Sequence, residues 1–183
     1  MALFLNAYAQ DQAPTEPGDS TSSTSDSGLP RNVFVPPKVV KEFFPDITGH
    51  YSTDADSNAV GKPTATEMAT YGTRDGSRRV ILSVDDYASP GDALSAYQVA
   101  VQKSQVPEFN PIALANVGQQ VLAGIVTRGS ETRVVIRVLD GSLIVGATLA
   151  GYEATTDNIA KLTELARQEV SQARSHVRSR RRR

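Results

Sequence analysis

Hydrophobic and polar positions alternate with period two over residues 132–139, where Val134, Ile136 and Val138 fall on one side and Arg133, Val135 and Arg137 on the other. Such alternation marks a strand with one face in a core and the other half exposed. Residues 119–128 and 142–150 read as two further strands, turned by Gly129-Ser130 and by Asp140-Gly141. The period then changes. Thr155 or Thr156 caps a helix in which Ile159, Leu162, Leu165 or Ala166, and Val170 share one face, with Asp157 near its positive end. Upstream, residues 67–73 and 79–85 flank Arg74-Asp75-Gly76-Ser77, whose Asp-Gly pair supplies the positive φ of a tight hairpin turn. Ser89-Pro90-Gly91-Asp92 opens another helix, with Ser89 as cap, Pro90 at the first helical position and Asp92 completing a capping-box-like pair. Leu94, Tyr97, Val101 and Ser104 recur at helical spacing, and the helix should end before Pro107.

The resulting order is β-β-α-β-β-β-α. It predicts the α+β class: an antiparallel sheet of about five strands with two helices packed on one face. Before it, Val33, Phe34 and Val35 precede Pro36-Pro37, and Val39, Val40, Phe43 and Phe44 follow. The prolines bar a central strand, so this stretch is expected to form a short edge strand and then a helical turn, with Phe43 and Phe44 as core anchors.

Composition divides the chain. Residues 10–32 are mostly Ser, Thr, Asp, Pro and Gly and offer too little apolar surface to offset the entropy of ordering, so they are expected to be a disordered tether. Residues 1–9 hold a short apolar patch ending in Ala7-Tyr8-Ala9, the small-x-small pattern of a signal-peptidase site before Gln10. They lack the basic flank and longer apolar run of an intact signal and read as the remnant of one. The folded domain is expected over 33–176, with a disordered basic tail at 177–183. With no run of about 18 to 20 apolar residues, no transmembrane segment is expected. An exported protein, periplasmic or extracellular, is the expectation.

Five of the 19 Lys and Arg side chains lie in the last six residues, Arg178, Arg180, Arg181, Arg182 and Arg183; the other 14 face 20 Asp and Glu, so the body carries −6. An acidic body is a poor phosphate-binding surface, and no nucleic-acid partner is expected. The tail itself would attract anionic lipids or envelope polymers. No cysteine is present, which removes thiolate metal sites and cysteine nucleophiles together.

Two stretches resemble a known family. Arg79-Val-Ile-Leu-Ser-Val-Asp-Asp-Tyr-Ala-Ser-Pro-Gly-Asp-Ala-Leu-Ser-Ala-Tyr is similar to the strand-then-helix unit of actinobacterial extracytoplasmic sensor-like domains. Val134-Val-Ile-Arg-Val-Leu-Asp-Gly-Ser-Leu-Ile-Val-Gly-Ala-Thr-Leu, with its Asp-Gly turn and closing helix, is similar to the same unit. The family includes the extracellular sensors of receptor serine/threonine kinases and small secreted lipoproteins of PsbP-like fold. The chain departs from both in having no cysteine. The resemblance, over about residues 64–173, implies an exported ligand-binding or accessory domain and transfers no catalytic residue.

Candidate chemistry is sparse. Asp85, Asp86 and Tyr87, at a strand end before a helix, could hold a ligand between carboxylates and a phenol. Arg133 and Arg137 share a face by parity and form a candidate anion strip. Asp54, Asp56 and Asn58 place oxygens at alternate positions as a calcium loop begins, but Ala59 and Ala65 stand where that loop needs Gly and Glu. Apart from that calcium candidate no cofactor is expected, and neither Gly118 nor Gly124 belongs to a phosphate loop. His50 with Asp54 or Asp86 is the only acid/base set that would support a hydrolase. The expected function is therefore a non-catalytic ligand-binding or sensor-like accessory domain of the bacterial cell envelope. The alternatives are that hydrolase, and an envelope-associated protein contacting polyanions through its arginine tail.

Overall fold

Seven antiparallel strands form one sheet in the order β1-β2-β3-β7-β6-β5-β4. The structure is a computed structural model that describes residues 29, 33–49, 51–54 and 59–180, with side chains left aside at 51–54 and 178–180. In chain order its elements are α1 Pro37–Phe43, β1 Tyr51–Asp54, β2 Ala65–Gly72, β3 Arg79–Asp86, α2 Pro90–Lys103, β4 Phe109–Pro111, β5 Gln120–Arg128, β6 Glu131–Asp140, β7 Leu143–Ala150 and α3 Thr156–Arg180. The five strands expected from the pattern are the five central ones. β1 and β4 are short additions at the edges, and the class is α+β as expected.

Register builds two unlike faces. On the first, Ala69 pairs with Leu82, Leu82 with Ala147, Ala147 with Ile136, and Ile136 with Ala123. Small and large side chains thus alternate across five strands, all buried, which lets facing layers interdigitate. Leu162, Leu165, Ala166, Val170, Ala173 and Val177 of α3 close this face in one apolar cluster. Thr155 caps the helix by accepting from the Asn158 N–H at 3.2 Å.

The other helix corrects the expected arrangement. Ala93, Ala96, Tyr97 and Ala100 of α2 pack with Leu139 and Ile144, a cross-strand pair. Their parity is opposite to that of Val138 and Val145, which lie in the α3 cluster. The two helices therefore sit on opposite faces rather than one. The first face is already filled by α3 and the N-terminal segment, and the small alanines of α2 need only the few large apolar side chains on the second. Ser89 caps α2 as expected, accepting from the Asp92 N–H at 3.2 Å and donating to its carboxylate at 2.7 Å.

The segment before α1 forms no strand. Val33, Phe34 and Val35 are buried, and side chains serve the backbone of Val35 in place of a ladder. Its N–H donates to Glu169 Oε2 at 2.9 Å, and its carbonyl accepts from the Tyr71 hydroxyl at 2.9 Å. Pro36 caps and Pro37 begins α1, Phe44 is buried as an anchor, and Phe43 packs at the margin of the core. Leu29, inside the stretch read as tether, is also buried in this core. At the other end α3 runs on to Arg180 and buries Val177, reaching into the stretch read as tail. Residues 1–28 and 181–183 lie outside the described residues.

One end of the molecule is tied by a surface network. Tyr152 donates to Asp46 at 2.9 Å, and Arg78 donates to the same carboxylate at 3.0 Å while lying 5.5 Å over the Tyr152 ring. In the β2–β3 loop, hydroxyls of Thr73 and Ser77 hold the Asp75 carboxyl down at about 2.

Glu169 is fully buried, and burial pushes its carboxyl up to about 8, against the partial opposing effect of the Val35 N–H. The folded protein thus holds a proton there that the unfolded chain releases near 4.5. Stability from this group is complete below that pH and is lost as pH rises toward about 8, at roughly 1.4 kcal/mol per pH unit. Glu67 and Asp86 face the same side of the sheet, so a variant is needed to isolate the Glu169 share. Denaturant unfolding from pH 5 to 9 should show Glu169→Gln flattening the decline and exceeding wild type at pH 9 while not exceeding it at pH 5; parallel curves would refute the assignment. A second expectation concerns two left-handed glycines. Gly76 (φ +70) has open space at its Cβ position, whereas a Cβ on Gly151 (φ +77) would strike the Ser77 carbonyl. Gly76→Ala should cost about 1 kcal/mol, and Gly151→Ala at least twice that, read by the same unfolding assay.

Candidate functional site

The second face is covered by α2 at one end only, over Leu139 and Ile144. Beyond that end, register fixes what is displayed. Arg79 pairs with Ala150 and Ala150 with Arg133, so two arginines flank a short side chain on one row. Two residues further along the strands lie Ile81, Thr148 and Val135, and two further still Ser83, Gly146 and Arg137. Ile81 is buried yet belongs to neither apolar cluster. A Cβ on Gly146 would meet the Ser83 hydroxyl, which would have to turn aside. Towards the β4 edge, the Phe109 ring fills the space over Gly124. The result is a strip of sheet with a mixed floor of hydroxyls and small apolar groups, bordered by three guanidiniums.

The three are not equivalent. Arg133 holds Glu131 through two parallel bonds of 2.8 Å, the fork geometry that makes Arg–carboxylate pairs strong. Among the described residues, neither Arg79 nor Arg137 has an ion-pair partner. The Nε of Arg79 is also shielded from solvent without a hydrogen-bond acceptor, a condition that costs about 1–3 kcal/mol for a polar group. Parity alone places Arg133 and Arg137 together, whereas the place of Arg79 beside Ala150 follows from the long-range β3–β7 pairing, which no local pattern signals.

The carboxylates singled out from sequence do not converge. β3 extends through Asp86, so Asp85 and Asp86 are adjacent strand residues and point to opposite faces. Both are buried. Asp85 accepts from the Thr66 hydroxyl at 2.6 Å and Asp86 from the Ser142 hydroxyl at 3.1 Å. Tyr87 is buried beneath α2 and donates to the Val60 carbonyl at 2.6 Å. These three serve the interior and form no shared open site. His50, Asp56 and Asn58 lie outside the described residues, as does the side chain of Asp54, which ends β1. Of the basic tail, the backbone of Arg178 and Arg180 continues α3.

A second concavity, about 710 Å³, opens at the end of the sheet between Gln119, Asp140, Ser142 and Arg174. Its charges are committed to each other: Arg174 grips Asp140 through bonds of 2.6 and 2.8 Å, and that carboxylate raises the Arg174 pKa. Gln119 accepts from the Gly141 N–H at 3.1 Å. This cleft offers a ligand less than the arginine-bordered strip does.

No known family's sequence profile matches the chain, and no curated protein matches it. Among solved structures it is similar to the extracellular domain of PknH from Mycobacterium tuberculosis, at a TM-score of 0.49 and 10% sequence identity, over 82% of this chain and 98% of that one.

Proposed function

We propose that this protein is an exported, non-catalytic binding module of the bacterial cell envelope, sensor-like in type, and that the open strip of the sheet is its binding face. The observation that carries this reading is the pair Arg79 and Arg137, without carboxylate partners among the described residues, on a domain, residues 33–176, in which 13 Lys and Arg stand against 16 Asp and Glu. Export is supported by the apolar patch with its Ala7-Tyr8-Ala9 site and by the Ser/Thr/Pro-rich spacer after it. No described helix is long and apolar enough to cross a membrane. The non-catalytic reading is supported by the commitment of Asp85, Asp86 and Tyr87 to buried hydrogen bonds. A strip of three central strands, with fixed Cα positions and hydroxyls between charges, suits recognition more than turnover.

A ligand that binds only the folded state stabilises it by mass action, about 2.7 kcal/mol at a hundredfold excess over Kd. In a domain of this size that corresponds to a melting shift of about 5 °C or more. Mass spectrometry of species copurifying with the full chain, followed by thermal-shift assays of candidate classes, should find at least one ligand giving such a shift. No copurifying species and no shift with any class would sink the reading.

A further inference from the structure

The strip has a chemical bias that narrows its ligand. Adjacent strands lie about 4.8 Å apart and residues rise about 3.4 Å along them. Arg79 and Arg133, two strands apart across Ala150, therefore have Cα atoms about 10 Å apart, and Arg137 lies about 13 Å from Arg133 along β6. Cationic groups thus stand at both ends of the strip. Between them the partly exposed groups are the hydroxyls of Ser83 and Thr148 and the apolar side chain of Val135, with Ile81, Gly146 and Ala150 buried beneath. A guanidinium prefers a planar or tetrahedral oxyanion that can take two of its N–H groups at once.

Glu131 shows that chemistry at work within the chain. Its carboxylate occupies the fork of Arg133, half exposed, while the Arg133 side chain is 16% exposed. It stands where the terminal group of an anionic ligand would bind, so it acts as an internal competitor at one end of the strip. Among the described residues, the other end, Arg137, and the flank, Arg79, have no such competitor.

We infer that the strip binds a small soluble dianion, carboxylate or phosphate at each end and hydroxylated or apolar between, held by Arg79, Arg133 and Arg137, with Glu131 displaced from Arg133 on binding. This rests on the reading of the open face as a binding face. Free small molecules are favoured over an anionic polymer or lipid surface because the strip gathers only three cationic side chains, while residues 33–176 as a whole hold 13 Lys and Arg against 16 Asp and Glu and so present no continuous basic track to an extended polyanion.

The test uses the full chain and titration calorimetry with suberate and with galactarate, dicarboxylates whose middles are apolar and hydroxylated. Long poly-glutamate and phosphatidylglycerol vesicles are run in parallel. The expected result is binding of at least one small anion that weakens with added salt. Arg79→Met and Arg137→Met, which keep the aliphatic stems, should each weaken it about 10-fold or more. Glu131→Gln should tighten it several-fold. Circular dichroism melts confirm that the variants fold, and Arg79→Lys, which keeps charge but loses the fork, should fall between wild type and Met. Three outcomes overturn the inference: silence with both small anions in wild type and in Glu131→Gln, affinity unchanged in both Met variants, or binding confined to the polymer or vesicles. If an uncharged ligand shifts melting equally in wild type and Arg79→Met, the dianion inference fails while the binding-module reading stands. If no ligand of any class shifts it, that reading fails first.

Discussion

Val35 is held at both ends of its peptide unit by side chains from elements that follow it in the chain, Tyr71 of β2 and Glu169 of α3. Elsewhere the sheet satisfies its backbone groups through its ladders. Here an extended segment enters the core without a neighbouring strand, and each backbone group left unbonded would cost about 1–3 kcal/mol. The side chains of Tyr71 and Glu169 remove that cost and fix the depth at which Val33, Phe34 and Val35 enter. The acid that does so cannot remain charged in such a place, since an unpaired buried carboxylate is costlier than taking up a proton. A neutral Glu169 is thus a consequence of where Val35 has to lie.

From this constraint the division of the sheet follows. The N-terminal segment and α3 together close the first face, and they leave no room on it for α2. That helix is displaced to the other side, where Leu139 and Ile144 offer enough apolar surface for its alanines. Its reach ends there, and the rest of the second face is left to Ser83, Thr148, Gly146 and the arginines. The arginine-bordered strip is therefore what remains after the core has been built on the opposite side.

Local signals in the sequence were legible where local physics decides. The Asp-Gly turns, the Ser89 cap, the Thr155 cap and the period-two pattern of β6 all lie where the residues alone placed them. What depends on distant partners was not. Nothing near β3 indicates that β7 lies beside it, so the neighbours of Arg79 could not be read. The side chosen by α2 depends on what already fills the other face. Val33 to Val35 look like strand residues, but their partners are side chains 36 and 134 positions away. At Asp85 to Tyr87 the strand runs one residue past the end that the pattern gives it, so Asp85 and Asp86 are adjacent strand residues and point apart.

Three arginines on one face could be thought a burden that only a ligand relieves, and the magnitudes decide otherwise. At about 10 Å, two unit charges repel by about 0.4 kcal/mol in water and less than about 2 kcal/mol at an effective dielectric of 20. Ala150, placed between Arg79 and Arg133 by register, keeps their Cα atoms at that separation, and Glu131 neutralises Arg133. The repulsion is small beside the burial that α3 and the N-terminal segment contribute on the reverse face. The domain can therefore fold with the strip empty, and an anion bound there adds to a fold already complete. A fixed platform of this kind suits a module that must reach the same structure before its ligand arrives, because the arginines stand on central strands and lose little backbone freedom when they close on an oxyanion.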